Sequence, residues 1–190
     1  MKIRFPRHHN LTIALHWTTF GIIIFAVCAV LLRDVVEASE VRLLLLNLHR
    51  SFGVVILLLV VARLIARFRI SSEHVSASLP KGIRLLSQAA HTVLYLFLLA
   101  LPVTGWLFSN AAGKAVSLFG LVNLPELIAK NRDLADQLGD VHETLAWLFI
   151  ALIGAHVGAA LWHHFWRKDD VLRSMLPVRL LRTLAPINKG

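Results

Sequence analysis

Four apolar segments, about Leu11 to Leu32, Leu48 to Phe68, Leu85 to Phe108 and Val141 to Trp166, dominate this chain and constrain what it can fold into. Each meets the roughly 20 residues that an α-helix needs to cross a hydrocarbon core about 30 Å thick. In lipid, only helices and closed barrels satisfy their own backbone polar groups. The expected fold is therefore an all-α integral membrane protein, a four-transmembrane-helix bundle, with residues 1–190 as a single domain. Composition agrees. With 57% hydrophobic and 16% charged residues and a mean hydropathy of +0.68, the chain is too apolar for a soluble domain of this size. The leader Lys2, Arg4 and Arg7 resembles that of a secretion signal. However, His16 and Trp17 interrupt the start of the first segment and no good small-residue cleavage site follows, so that segment is expected to be retained.

The excess of 20 Lys+Arg over 11 Asp+Glu could suggest a nucleic-acid partner. The charges instead fall between the apolar segments, where they report topology, because short loops rich in Lys and Arg stay cytoplasmic. The leader, the second loop and the tail hold fourteen basic residues and the opposite side holds six, so both termini are expected in the cytoplasm. Trp162 and Trp166 at one end of the fourth segment, with Trp106 near the far end of the third, suit an interfacial aromatic belt. In the long third loop, Pro125 is expected to open a short surface helix containing Leu127, Ile128, Leu134 and Leu138. A lone Cys28 excludes an intrachain disulfide framework, a cysteine-built zinc site and a haem attached through Cys-x-x-Cys-His.

Ten histidines are the feature left to explain. Ionisable groups inside membrane helices are costly and usually face a partner, a cavity or a cofactor. His16, His49, His91, His142 and His156 meet that description. On an ideal helix His142 and His156 share a face, about 40° apart in azimuth and about 21 Å apart in height. That is too far for one metal ion but suits two planar cofactors held one above the other. Haem b fits, because neutral imidazole is a common axial ligand and a four-helix bundle can hold a macrocycle. Each iron needs a second ligand from another helix at the same depth. On the outer side only His49 is available to His142. On the inner side His156 could pair with His16 or His91, and spacing does not decide between them. Gly53, Ala146, Gly154, Ala155, Gly158, Ala159 and Ala160 keep side chains shallow around these positions.

His163, two turns beyond His156, would lie past the inner cofactor, near its propionates or a quinone headgroup, where it could relay a proton. His164 points about 100° away. His8, His9 and His74 read as surface residues, and Arg63, Arg67 and Arg69 as snorkelling cations at a helix end. Competing enzyme motifs are missing: there is no His-Glu-x-x-His, no phosphate-binding glycine loop and no Gly-x-Ser-x-Gly.

Several stretches, taken in order, carry a resemblance. They are Leu15-His16-Trp17, Leu48-His49-Arg50-Ser51-Phe52-Gly53, Ala62-Arg63, Leu99 to Gly105 (LALPVTG) and Val141-His142-Glu143-Thr144-Leu145-Ala146. Gly154-Ala155-His156, His163-His164-Phe165, Lys168-Asp169-Asp170 and Met175-Leu176-Pro177 complete the set. Over nearly its whole length the chain resembles the bacterial cytochrome b561 family. The resemblance implies a di-haem b cytochrome of the inner membrane, with His16 and His156 on the inner haem and His49 and His142 on the outer, which favours His16 over His91. It also implies electron transport to ubiquinone, with superoxide as the donor in some small stand-alone members. More distant relatives are cytochrome b subunits that anchor a hydrogenase or another dehydrogenase, the alternative function here.

The expected partners are membrane lipid, quinone, superoxide or a periplasmic redox donor, and a second copy of the chain; nucleic acid is not among them. His163 is the expected proton donor to quinone, with His91 behind it. Arg50, beside His49 and with Arg42 or Lys114, is the expected basic residue for an anionic donor. Net charge gives that donor no steering, since the outer segments hold six basic residues against eight acidic ones.

Overall fold

The computed structural model describes residues 8–70 and 80–183. The leader cations Lys2, Arg4 and Arg7, with His74 and Lys189, lie outside the described residues. Four helices long and apolar enough to span a membrane form the body: α1 (Asn10–Val35), α2 (Ser39–Arg69), α3 (Lys81–Ala111) and α4 (Arg132–Trp162). A small antiparallel hairpin, β1 (Ser117–Leu118) and β2 (Val122–Asn123), lies between α3 and α4. Beyond α4 come a π-helical turn (His163–Arg167) and two short helices, α5 (Val171–Ser174) and α6 (Val178–Thr183).

The helices outrun the apolar segments. The 31 residues of α2 make a rod about 46 Å long, well over the hydrocarbon thickness. The connection from α1 shrinks to residues 36–38, because the stretch from Ser39 continues as helix through Glu40 and Arg42. In the third loop, Pro125 opens no helix. Residues 124–131 are irregular, and Leu134 and Leu138 belong to the first turns of α4. The reason is capping: the Asn131 side chain accepts the Leu134 N–H at 3.1 Å and starts the helix there. Upstream, the Asn110 side chain accepts the Leu127 N–H at 2.9 Å and ties that irregular stretch to the end of α3.

α1 packs chiefly on α2 and α3 chiefly on α4, and α2 and α3 join the two pairs. α4 makes no comparable backbone approach to α1 or α2. Ala26, Ile56, Val60, Leu98 and Phe149 form the buried cluster, and the Phe97 and Phe149 rings stack at 5.7 Å. Large apolar side chains such as Phe25 (60% exposed) and Leu58 (60%) point outward, as expected of surfaces solvated by lipid.

The hairpin is latched to the bundle by one hydroxyl. Ser51, 1% exposed, donates to the carbonyls of Asn47 (2.9 Å) and Ser117 (3.0 Å) as alternatives and accepts the Phe119 N–H (2.9 Å). Phe119, at φ 51°, lays its ring 5.8 Å from that of Phe52. Ser51→Ala leaves the Ser117 carbonyl and the Phe119 N–H without this partner, a loss of about 1 kcal/mol. The expected result is faster amide exchange across residues 117–123, read by hydrogen–deuterium exchange, with α2 itself unchanged.

Candidate functional site: two facing histidine pairs

The predicted intramembrane histidines meet in the gap between α4 and the α1–α2 pair. At one end of the bundle His49 of α2 faces His142 of α4, with ring centres 6.1 Å apart and planes at 90°. At the other end His16 of α1 faces His156, 6.4 Å apart at 60°. His91 of α3 also flanks His156, at 5.4 Å and edge-on. Two imidazoles on opposite faces of one metal ion, each with a metal–nitrogen bond of about 2 Å, have ring centres about 6 Å apart. His49–His142 and His16–His156 have that spacing, and His91–His156 falls short of it.

The neighbours of the His49–His142 pair, the outer one in the expected topology, fix which nitrogen is available. His49 Nδ1 lies 2.9 Å from the Ala26 carbonyl, which can only accept, so Nδ1 carries the hydrogen. Thr104 spends its single hydroxyl hydrogen on the Leu101 carbonyl (3.0 Å) and stands 3.2 Å from His142 Nδ1. Its oxygen therefore accepts from His142, whose hydrogen is again on Nδ1. Both Nε2 atoms keep a lone pair, and both rings are held from behind, as ligating histidines usually are. Pro102 supports this by interrupting the backbone bonding of α3 one turn before Gly105. At Gly105 a Cβ would come 3.0 Å from His142 Cε1, so only glycine lets α4 approach this closely. By contrast, a Cβ at Gly53, Gly154 or Gly158 would meet no atom within 4 Å, leaving a shallow surface beside His49 and His156. The donor set and these surfaces fit a planar macrocycle at each level.

At the His16–His156 end, the inner one in the expected topology, Arg63 Nη2 lies 3.4 Å from His16 Nδ1 while its guanidinium covers the Tyr95 ring at 5.3 Å. A cleft beside it is lined by His8, Thr12, Arg63, Arg67 and Tyr95. His8 is thus not a simple surface residue: it is half-buried there, and burial pushes its imidazole below the usual histidine range. His9, exposed as expected, caps α1 by accepting the Leu11 N–H at 3.2 Å. Trp17 ties α1 to the chain after α4 by donating to the Met175 carbonyl at 2.7 Å. Trp162 and Trp166 are exposed at the end of α4, whereas the Trp106 N–H is buried with no acceptor among the described residues, unlike a belt anchor. His163 is buried against Asp169, and His164 packs on Phe165 at 4.9 Å. At the opposite end Arg50 reaches Asn47 at 3.4 Å, and Arg33 pairs with Asp34 at 2.6 Å.

Residues 7–178 match the family model described as prokaryotic cytochrome b561. The chain belongs to the prokaryotic cytochrome b561 family. Members of this family bind haem b and transfer electrons in membranes, and this cytochrome is a multi-pass membrane protein. It is 32% identical over 174 residues to cytochrome b561 homolog 1 of Escherichia coli (strain K12), covering 91% of this chain and 98% of that one. Cytochrome b561 homolog 2 of the same organism is 37% identical over 130 residues, 68% of this chain and 69% of the relative. A Yersinia pestis protein named probable superoxide oxidase CybB is 32% identical over 171 residues, 90% and 96% of the two chains.

Sequence reasoning missed Gly105, Thr104 and the Ala26 carbonyl as supports of the outer pair. The LPVTG stretch, with proline and glycine inside an apolar helix, was the available signal.

Proposed function

We propose that this chain is a two-haem cytochrome of the bacterial inner membrane, with cytoplasmic termini, that takes electrons singly from superoxide outside and delivers them to ubiquinone. The observation that carries the reading is the pair of facing imidazole sets at two depths, each spaced for one iron. His49 and His142 would hold the outer haem, and His16 and His156 the inner. Haem b held by two histidines at each level would supply a reversible one-electron carrier.

The chain's own residues do the rest. The Ala26 carbonyl and Thr104 orient the outer imidazoles. Arg50 gives an anionic donor a positive charge beside His49 on an outer side that is acidic overall, while Arg33 nearby is paired with Asp34 at 2.6 Å. His163 gives quinone its protons. In balance, two superoxide ions become two dioxygen molecules while one quinone takes up two electrons and two protons. The resemblance to a protein named probable superoxide oxidase supports this donor.

The test is a pyridine-haemochrome assay on purified protein, followed by optical spectra after superoxide and then ubiquinone-1. Two b haems per chain, reduced by superoxide and reoxidised by the quinone, are expected. Two haems that superoxide leaves oxidised would overturn the donor and favour a subunit that serves a partner dehydrogenase; fewer than two would overturn the pairing. Arg50→Ala is expected to slow reduction by superoxide about tenfold at low salt and to flatten its ionic-strength dependence. Stopped-flow absorbance across a salt series checks this, with reduction by dithionite as the control.

A further inference from the structure

His163 stands where α4 widens into its π-helical turn. The imidazole is 9% exposed, and its Nδ1 lies 2.6 Å from Oδ2 of Asp169. The chain reaches this contact by turning back on itself. Lys168 adopts φ 52°, a left-handed conformation uncommon for a non-glycine residue, and the Asp169 N–H donates to the His163 carbonyl at 3.2 Å. The second carboxylate oxygen accepts the Val171 N–H at 3.2 Å, and Arg167 Nε lies 3.5 Å from Oδ2. Asp169 is thus fixed from several sides behind one imidazole.

An ionised carboxylate only accepts, so His163 Nδ1 carries a hydrogen and Nε2 is left for chemistry. Among the described residues Nε2 has no hydrogen-bond partner. A carboxylate behind an imidazole fixes its tautomer and sets a compensating charge beside the ring when it carries two hydrogens.

We infer that Asp169 is the positioning residue for proton delivery by His163, holding the ring in place and stabilising the imidazolium; this rests on His163 being the proton donor to quinone. In each delivery the imidazolium Nε2–H bond breaks as a quinone O–H bond forms. The ring returns to neutral with Nδ1–H still on Asp169, and water on the same side of the membrane restores the proton. Two deliveries accompany the two electrons that convert quinone to quinol. The other charged or titratable groups around the pair are Arg167, Lys168 and His164 on the turn, and Asp170 engaged with Arg173 of α5 at 3.7 Å.

The experiment mixes dithionite-reduced protein with ubiquinone-1 and follows haem reoxidation across about pH 5 to 9, the span in which an imidazole titrates. His163→Gln is expected to slow reoxidation about 100-fold. Asp169→Asn, which keeps an oxygen for Nδ1–H but removes the charge, is expected to slow it about tenfold near neutrality, with the loss recovered at low pH. Asp169→Glu is expected to restore most of the rate. Haem content and the reduced spectrum report folding in each variant. A slow His163→Gln beside an Asp169→Asn with the parental rate and pH profile would overturn the role of Asp169 and leave that of His163. A pH-independent loss in Asp169→Asn, not restored by glutamate, would make Asp169 merely structural. A parental rate in His163→Gln would overturn the underlying assignment and this inference with it.

Discussion

Replacing His49 by alanine is expected to leave a chain with one haem b where the parent is expected to carry two, and His16→Ala is expected to remove the other one. The two positions sit at opposite ends of the bundle. Their partners His142 and His156 are fourteen residues apart on α4, about 21 Å along the helix axis. No side chain bridges such a distance, so loss at one level leaves the other ligand set untouched. In the proposed arrangement two protein ligands would hold each iron, so removing one would take away half of its protein coordination. Pyridine-haemochrome stoichiometry should read about one haem per chain in either variant. Low-temperature electron paramagnetic resonance should then show two different residual low-spin signals that together reproduce the parent. The same pair of spectra discriminates at the inner end, where His91 stands 5.4 Å from His156. If His16→Ala keeps both haems and His91→Ala loses one, the inner ligand is on α3. If His49→Ala and His16→Ala lose the same haem, the two-level arrangement is wrong.

The parts of this molecule legible in the sequence are those set by long runs and by scarcity. The spans could be read because an apolar run of about 20 residues has few other uses. Helix ends could not. Ser39 to Asn47 carries Glu40 and Arg42 and reads as a loop, yet the helix continues through it because its four consecutive leucines are good helix formers. Arg132 to Asp140 looks like a charged surface segment, yet it is the start of α4 once Asn131 caps it.

The facing of His49 and His142 was legible because the outer side offered no other histidine. At the inner end, by contrast, the sequence left three imidazoles whose relative azimuths depend on packing. Contacts made by backbone were out of reach altogether. The Ala26 carbonyl carries no sequence signature as a histidine acceptor, and the return of Asp169 onto His163 depends on one left-handed residue at Lys168. Ser51 gave no warning either: a serine in an apolar helix commonly bonds its own turn, and here it also holds a hairpin 66 residues away.

Gly105→Val is expected to abolish the outer haem while leaving the inner one in place. Pro102 has no N–H to give the Leu98 carbonyl and so loosens the ladder of α3 in its outer half. Two residues on, Thr104 uses its hydroxyl to fix His142. Gly105 then presents bare backbone to that ring, where a Cβ would lie 3.0 Å from Cε1 and 3.3 Å from Nδ1. Alanine demands a shift of a few tenths of an ångström from a ring that Thr104 and the Leu101 carbonyl hold in place. Valine, with two further methyl groups and a stiff χ1, cannot be accommodated without turning the imidazole away from His49. The graded expectation is therefore a full complement with an altered outer-haem spectrum in Gly105→Ala, and about one haem per chain in Gly105→Val. Gly82→Ala on the same helix is the control, since a Cβ there meets nothing within 4 Å and alanine is the better helix former. Haem stoichiometry with electron paramagnetic resonance reads all three variants. Two intact haems in Gly105→Val would mean that His142 does not need its present position against α3 to serve as a ligand.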